Sequence, residues 1–193
     1  MEDLNNIKDT YPQWLINLSF DDWFDWKKGI FSTFSRFLEY ATLHDSYWCG
    51  IFSNLDNSIN LIVNFDAFWN KEIANHPGPK VDEWPYLIIK LERVFNLTLD
   101  SNMDCGTTIG ELKTELISDD QKEKIIDNIG QQYLINSKIA ENILDKKVSK
   151  TMIEDVCGGF IEIIHTEPIR LLLYESNGNL IELPEEMKVI KEE

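Results

Sequence analysis

The chain has 193 residues, the size of one ordinary domain, and a chain this long buries roughly 70% of its unfolded surface, so folding requires neither a metal nor a disulfide. Hydrophobic residues at 43%, with 6 Trp and 10 Phe, exclude a disordered chain. A net charge of −16 excludes a nucleic-acid binder, which neutralises phosphates with Lys and Arg, and it disfavours an anionic membrane surface.

What such a charge attracts is a basic partner, although acidity also serves solubility. Cys49, Cys105 and Cys157 are scattered and odd in number, as incidental thiols are in a reducing compartment, so the expected location is the cytoplasm. The opening Met1-Glu2-Asp3-Leu4-Asn5-Asn6 lacks the basic-then-apolar pattern of a secretory signal, and no stretch nears about eighteen apolar residues. Neither export nor a membrane span is expected.

Along the chain, Tyr11-Pro12-Gln13-Trp14-Leu15-Ile16 is a lead-in apolar enough to pack on the domain. Ser19 has the chemistry of an N-cap, and Asp21 and Asp22 suit the positive end of a helix dipole. Trp23, Lys27, Ile30, Phe34, Phe37, Leu38 and Ala41 recur at spacings of three and four, which predicts a helix over residues 20–42 with an aromatic inner face that takes in Trp26 and Phe31. Ser46-Tyr47-Trp48-Cys49-Gly50-Ile51-Phe52 reads as a strand, and after the turn residues Ser53-Asn54-Leu55-Asp56-Asn57 a second run over residues 59–65 completes a β-hairpin. Ala74-Asn75-His76-Pro77-Gly78-Pro79 is a loop within one domain.

Trp84, Leu87, Ile88, Leu91 and Val94 are helically spaced, with Pro85 acceptable in a first turn, so a helix is predicted over residues 82–94. Phe95-Asn96-Leu97-Thr98-Leu99 alternates as a strand does. After the loop Ser101-Asn102-Met103-Asp104-Cys105-Gly106, helices are predicted over residues 109–117 and 121–144. Ser118, Asp119 and Asp120 lead the second, and Lys146, Lys147 and Lys150 suit its C-terminal end. Strands are predicted over residues 160–165, 169–175 and 179–183, with Ser176-Asn177-Gly178 turning the last hairpin, before a charged tail over 185–193 expected to fray. Helices and strands are segregated along the chain, so the expected fold is α+β, one domain over residues 1–193, with an aromatic-rich N-terminal helix, antiparallel hairpins and a central helical segment.

Chemistry is sparse. No CxxC or HExxH pair occurs, and His44, His76 and His165 each stand alone. Asp119-Asp120 with Glu123 reads as capping and dipole complementarity more readily than as a metal site. Cys49 before Gly50 and Cys157 before Gly158-Gly159 fall in or beside strands, and the glycine pair lacks the lysine and the following helix of a phosphate loop. With 34 acidic residues, carboxylate pairs are unavoidable and single out no glycosidase-like site. No catalytic, metal-ligating or cofactor-binding residue is assigned, and no cofactor is expected.

The surface carries the acids Asp21-Asp22 with Asp25, Asp100 to Asp104, Asp119-Asp120 with Glu123, and Glu182 with Glu185-Glu186. In size, acidity, the aromatic-rich first helix, the strand Tyr47-Trp48-Cys49-Gly50-Ile51-Phe52 and the Asn177-Gly178 hairpin, the chain resembles the immunity proteins encoded beside bacterial polymorphic or contact-dependent toxins. That resemblance implies stoichiometric, non-catalytic inhibition of a cognate toxin domain, basic in charge, such as a nuclease; it transfers no individual residue. Exposed acids beside exposed aromatics would bind the partner, and Asp100, Asp104, Asp119, Asp120 and Glu123 are the expected ones. Two other readings stand beside it: an accessory or self-associating structural protein, and a small hydrolase with a dispersed carboxylate site.

Overall fold

A computed structural model describes residues 11–21, 24–54, 58–70, 73, 84–100, 108–132 and 145–189 of the chain. The fold is α+β, mostly strand, in two antiparallel sheets. The elements are α1 (Gln13–Asp21), β1 (Ile30–Ser32), α2 (Phe34–Tyr40), β2 (Tyr47–Ser53), β3 (Ile59–Asn64), β4 (Tyr86–Leu91), β5 (Val94–Leu99), β6 (Ile109–Leu116), α3 (Asp119–Gln132), β7 (Val148–Asp155), β8 (Phe160–Thr166), β9 (Ile169–Tyr174) and β10 (Leu180–Ile181), followed by a 3-10 turn at Glu185–Met187.

Sheet A runs β1-β9-β4-β3-β2, with β10 also on β9; sheet B runs β5-β8-β7-β6. The chain passes from sheet A to sheet B through Glu92-Arg93, between β4 and β5, and back through Glu167-Pro168, between β8 and β9. These two corners lie side by side: Thr166 donates its amide to the Arg93 carbonyl at 3.0 Å, and Arg170 pairs with Glu92 at 2.5 Å. Strands that turn a corner from one sheet into the next, with a register shift between Val94 and Asn96, are the usual device for folding one ribbon over a core. The far edges are tied as well, because Thr108 bridges Tyr47 and Ile109 donates to the Ser46 carbonyl at 2.8 Å.

One core fills the space between the sheets. Leu61, Val63, Leu87, Ile89 and Leu171 come from sheet A, Ile153, Ile161 and Ile163 from sheet B, and Phe34 and Phe37 of α2 are fully buried among them. The opposite face of sheet A buries Ile62, Ile88 and Leu172 beneath α1, whose Leu15 and Trp14 cover it, so the lead-in packs as expected. Trp14 meets Tyr86 and Tyr174 at 5.8 and 5.3 Å between ring centroids.

The hairpin β2–β3, the strand β5, the three strands of the C-terminal third and the helix start at Ser118-Asp119 form where the sequence places them. Four segments differ. The helix predicted over residues 20–42 is instead α1, a turn, the strand β1 and α2, because Gly29 sits where a Cβ would lie 3.1 Å from the Leu171 carbonyl and Thr33 starts a new helix by accepting from the Arg36 amide at 3.0 Å. The helix predicted over 82–94 is the strand β4: buried on both faces, it reads as a continuous apolar run that helical spacing also fits. The helix predicted over 109–117 is the strand β6, where Leu112 turns inward and Glu111, Lys113 and Glu115 outward. Residues 148–155 are β7, so Lys150 belongs to a strand and pairs with Glu162 at 2.7 Å rather than ending a helix. Beyond residue 132 the predicted long helix lies outside the described residues, as does the Pro77-Gly78-Pro79 loop.

The tail is anchored as far as it is described. Met187 is fully buried, its carbonyl accepts from the Ser32 hydroxyl at 2.8 Å, and Val189 donates to the Phe31 carbonyl at 2.9 Å, so residues 185–189 pack onto the fold. Gly178 turns the last hairpin at φ +91, and a Cβ there would meet the Trp14 ring at 3.2 Å. Gly178→Ala is therefore expected to cost about 1–2 kcal/mol, read as a lower urea midpoint with an unchanged slope.

Candidate protein-binding surface

The starts of β2 and β4 and the end of β3 lie at one end of sheet A, since Tyr47 and Tyr86 both stand opposite Asn64. From there residues 65–70 make a tight, internally bonded turn. Phe65 donates to the Pro85 carbonyl at 2.7 Å, Phe68 to Asp66 Oδ1 at 2.8 Å, and Asp66 to the Ser46 hydroxyl at 3.1 Å. Asn70, almost fully buried, staples this turn to the neighbouring segment: its Nδ2 donates to the Thr42 carbonyl at 3.0 Å and its Oδ1 accepts from the Thr42 amide at 2.7 Å.

That frame holds large aromatics outward. Phe68 is 66% exposed, Trp69 54%, Tyr47 43% and Trp84 36%. Phe68 and Trp69 meet edge to face at 5.1 Å, and Tyr47 and Trp84 lie 5.2 Å apart. Trp69 Nε1 donates to Asp45 Oδ2 at 3.0 Å, the same oxygen lies 3.1 Å from His44 Nδ1, and the His44 ring stands 6.1 Å from Trp69. Asp45 itself is held at φ 63 with its amide bonded to the Ile109 carbonyl at 2.9 Å. Ring faces beside a half-exposed carboxylate attract a cation by quadrupole and charge together. Rigid Trp and Tyr side chains are also the residues that dominate protein interfaces.

The expected acidic residues sit elsewhere. Asp119 and Asp120 form the first turn of α3 and Glu123 follows one turn on, all three exposed; Asp119 holds Lys122 at 2.9 Å. α3 packs Ile125 and Ile126 against Ile117, Val148 and Ile164 on the outer side of sheet B. Asp100 follows β5 directly, its amide bonded to the Phe160 carbonyl at 3.0 Å, and Asp104 lies outside the described residues. Sequence reasoning missed Trp69, Trp84 and Asp45. The available signal was Asp66-Ala67-Phe68-Trp69-Asn70, an aromatic pair enclosed by turn residues and therefore outside any apolar periodicity.

Burial pushes the Cys49 thiol up to about 11, so it is not a nucleophile near neutral pH. Among the described residues no group of three or more His, Cys, Asp and Glu is placed to hold a metal ion. An opening of about 210 Å³ between α3 and sheet B is lined by Glu115, Gln121, Lys124 and Ile164, with the Lys150–Glu162 pair on its sheet B side. Also among the described residues, no helix is long and apolar enough to cross a membrane. Comparison of the chain with protein-family models, with curated proteins and with solved structures finds no match in any of the three.

Proposed function

We propose that the chain is a non-catalytic immunity protein of the bacterial cytoplasm that neutralises a basic toxin domain by binding it. The observation that carries this reading is the exposed aromatic end of sheet A, with Asp45 set against Trp69, on a chain of net charge −16. Long-range attraction brings the basic partner in, and the aromatics hold it by apolar contact and by stacking on Lys or Arg. The free thiol of Cys49 is in keeping with a reducing compartment.

The test is co-expression with the basic domain of a toxin encoded beside this chain's gene. Restored growth, with an equimolar complex that salt weakens, is the expected result; arrested growth, with no complex at low salt, overturns the reading. Within such a complex, Asp119→Lys together with Asp120→Lys is expected to slow association about tenfold and flatten its salt dependence, measured by stopped-flow. Unchanged association at every salt concentration would remove α3 from the encounter surface.

A further inference from the structure

β5 is an edge strand with a composition that edges normally avoid. Proteins blunt an open edge with lysine, proline, an inward charge or a bulge. The opposite edge of sheet B obeys, because β6 carries Glu111, Lys113 and Glu115 and is bridged at its start to Tyr47. The β2 edge of sheet A, likewise uncharged, is interrupted by the register shift between Trp48 and Gly50. In β5, Val94-Phe95-Asn96-Leu97-Thr98-Leu99, no residue is charged and none is proline, and its one register shift lies at the start, leaving residues 96–99 regular. Leu97 and Leu99 are 37% and 56% exposed.

The direction of the open edge follows from the ladder. Asp100 donates to the Phe160 carbonyl opposite it, and bonded and non-bonded pairs alternate along an antiparallel ladder. Thr98, opposite Glu162, and Asn96, opposite Ile164, therefore bond to β8, while Leu97 and Leu99 turn their N–H and C=O groups to the open side. The sequence around Thr98 reads the same in both directions, Leu97-Thr98-Leu99. An antiparallel second copy of this strand, placed about a twofold axis at Thr98, sets Leu97 opposite Leu99 of the other copy and Leu99 opposite its Leu97. Each of those pairs is a bonded one, Thr98 faces its own counterpart, and the leucine side chains extend the face that Ile161 and Ile163 begin.

We propose that the chain self-associates through β5, two copies pairing edge to edge so that their four-stranded sheets become one continuous sheet. A second copy is the occupant because β5 offers no charge to a basic partner, and because its bonding pattern and side-chain order are self-complementary. The two copies repel each other through their −16 charges, and the strip that meets carries no charge of its own. Salt screens that repulsion, so self-association strengthens as ionic strength rises, whereas capture of a basic partner weakens. The proposal is thus independent of the inhibitor reading, and opposite salt responses tell the two apart.

The experiment is sedimentation equilibrium of the full chain at low and high salt. A reversible monomer–dimer equilibrium that tightens with salt is expected, with a dissociation constant on the order of micromolar to millimolar for so small an interface. Leu99→Lys, at an exposed side chain, is expected to weaken it at least tenfold while leaving the circular dichroism spectrum unchanged. In a background with the native cysteines replaced by serine, Thr98→Cys is expected to give a disulfide-linked dimer on mild oxidation, and Asn96→Cys to give none. A strictly monomeric chain at about 1 mM, a dimer indifferent to Leu99→Lys, or equal cross-linking at the two positions would overturn the proposal.

Discussion

Glu167→Gln is expected to stabilise the protein at pH 8 by up to ~3 kcal/mol and to leave its stability unchanged below about pH 4.5. Glu167 sits at the corner between β8 and β9, and burial raises its pKa from the ordinary 4.5 to about 7, against weaker opposing hydrogen bonds from Ser149 and from the amides of Phe34 and Ile169. Its Oε2 is buried and meets no hydrogen-bond donor among the described residues. Between pH 4.5 and 7 the folded protein holds a proton that the unfolded chain has released, so this group destabilises progressively as pH rises through that window. Glutamine keeps the shape of the protonated acid and cannot ionise.

His165, two residues away, works in the opposite sense. It is fully buried, its Nε2 lies 2.9 Å from the Thr151 hydroxyl and its Nδ1 3.0 Å from the Thr166 carbonyl, a geometry that suits the neutral ring with the proton on Nδ1. Burial lowers its pKa from 6.5 to about 4, so the unfolded chain takes up a proton first and stability is lost as pH falls from 6.5 toward 4, by ~3 kcal/mol in all. Between pH 4.5 and 6.5 the two slopes oppose each other and the parent protein shows a plateau. Without Glu167 the histidine slope stands alone, and stability climbs with pH up to about 6.5 and then holds. Urea midpoints measured from pH 4 to 8 decide it. Parallel curves for parent and variant would mean that water reaches the Glu167 carboxyl freely.

The pH behaviour was invisible in the sequence, and the reason is physical. Nothing near His165 or Glu167 in the chain marks the one as buried or the other as partly shielded; what covers them is α2 and β7, brought in from residues 34 and 148 onward. Alternation of polar and apolar residues was legible, as in β5 and β8, and so was the local turn chemistry of Asn177-Gly178. The strands buried on both faces were not, because Tyr86-Leu87-Ile88-Ile89-Lys90-Leu91 offers no polar face to set its period. Glu111, Leu112, Lys113, Glu115 and Leu116 of β6 are good helix formers, and the ladder to β7, with Leu112 opposite Ile153, overrides that preference. The apolar stripe from Ile30 to Ala41 was read correctly as core and wrongly as one helix, since a strand and a short helix bury the same Ile30, Phe34, Phe37 and Ala41. The aromatic end of sheet A was missed for a related reason. Periodicity finds residues that point inward, and Phe68 and Trp69 leave the ladder altogether.

Trp69→Ala should weaken binding of the basic partner by about 30-fold or more, ~2 kcal/mol, almost entirely through faster dissociation. Its ring is half exposed on a turn fixed by Asn70, Asp66 and Ser46, so the aromatic surface is presented ready-made and little ordering cost offsets the contact. For the same reason removing the ring costs the fold little, and the urea midpoint should move by no more than about 0.5 kcal/mol equivalent. Asp45→Asn separates the two parts of the site. It keeps an oxygen for the Trp69 Nε1 donor and removes the charge, so affinity for a basic partner should fall while the free protein keeps its stability. A pair of kinetic signatures then distinguishes the two surfaces. Charge reversal at Asp119 and Asp120 acts on the rate of encounter, whereas truncation of Trp69 acts on the lifetime of the complex. If Trp69→Ala and Trp84→Ala both bind with parental affinity, the aromatic end of sheet A is not the contact, and the acids of α3 would have to hold the partner without aromatic anchors.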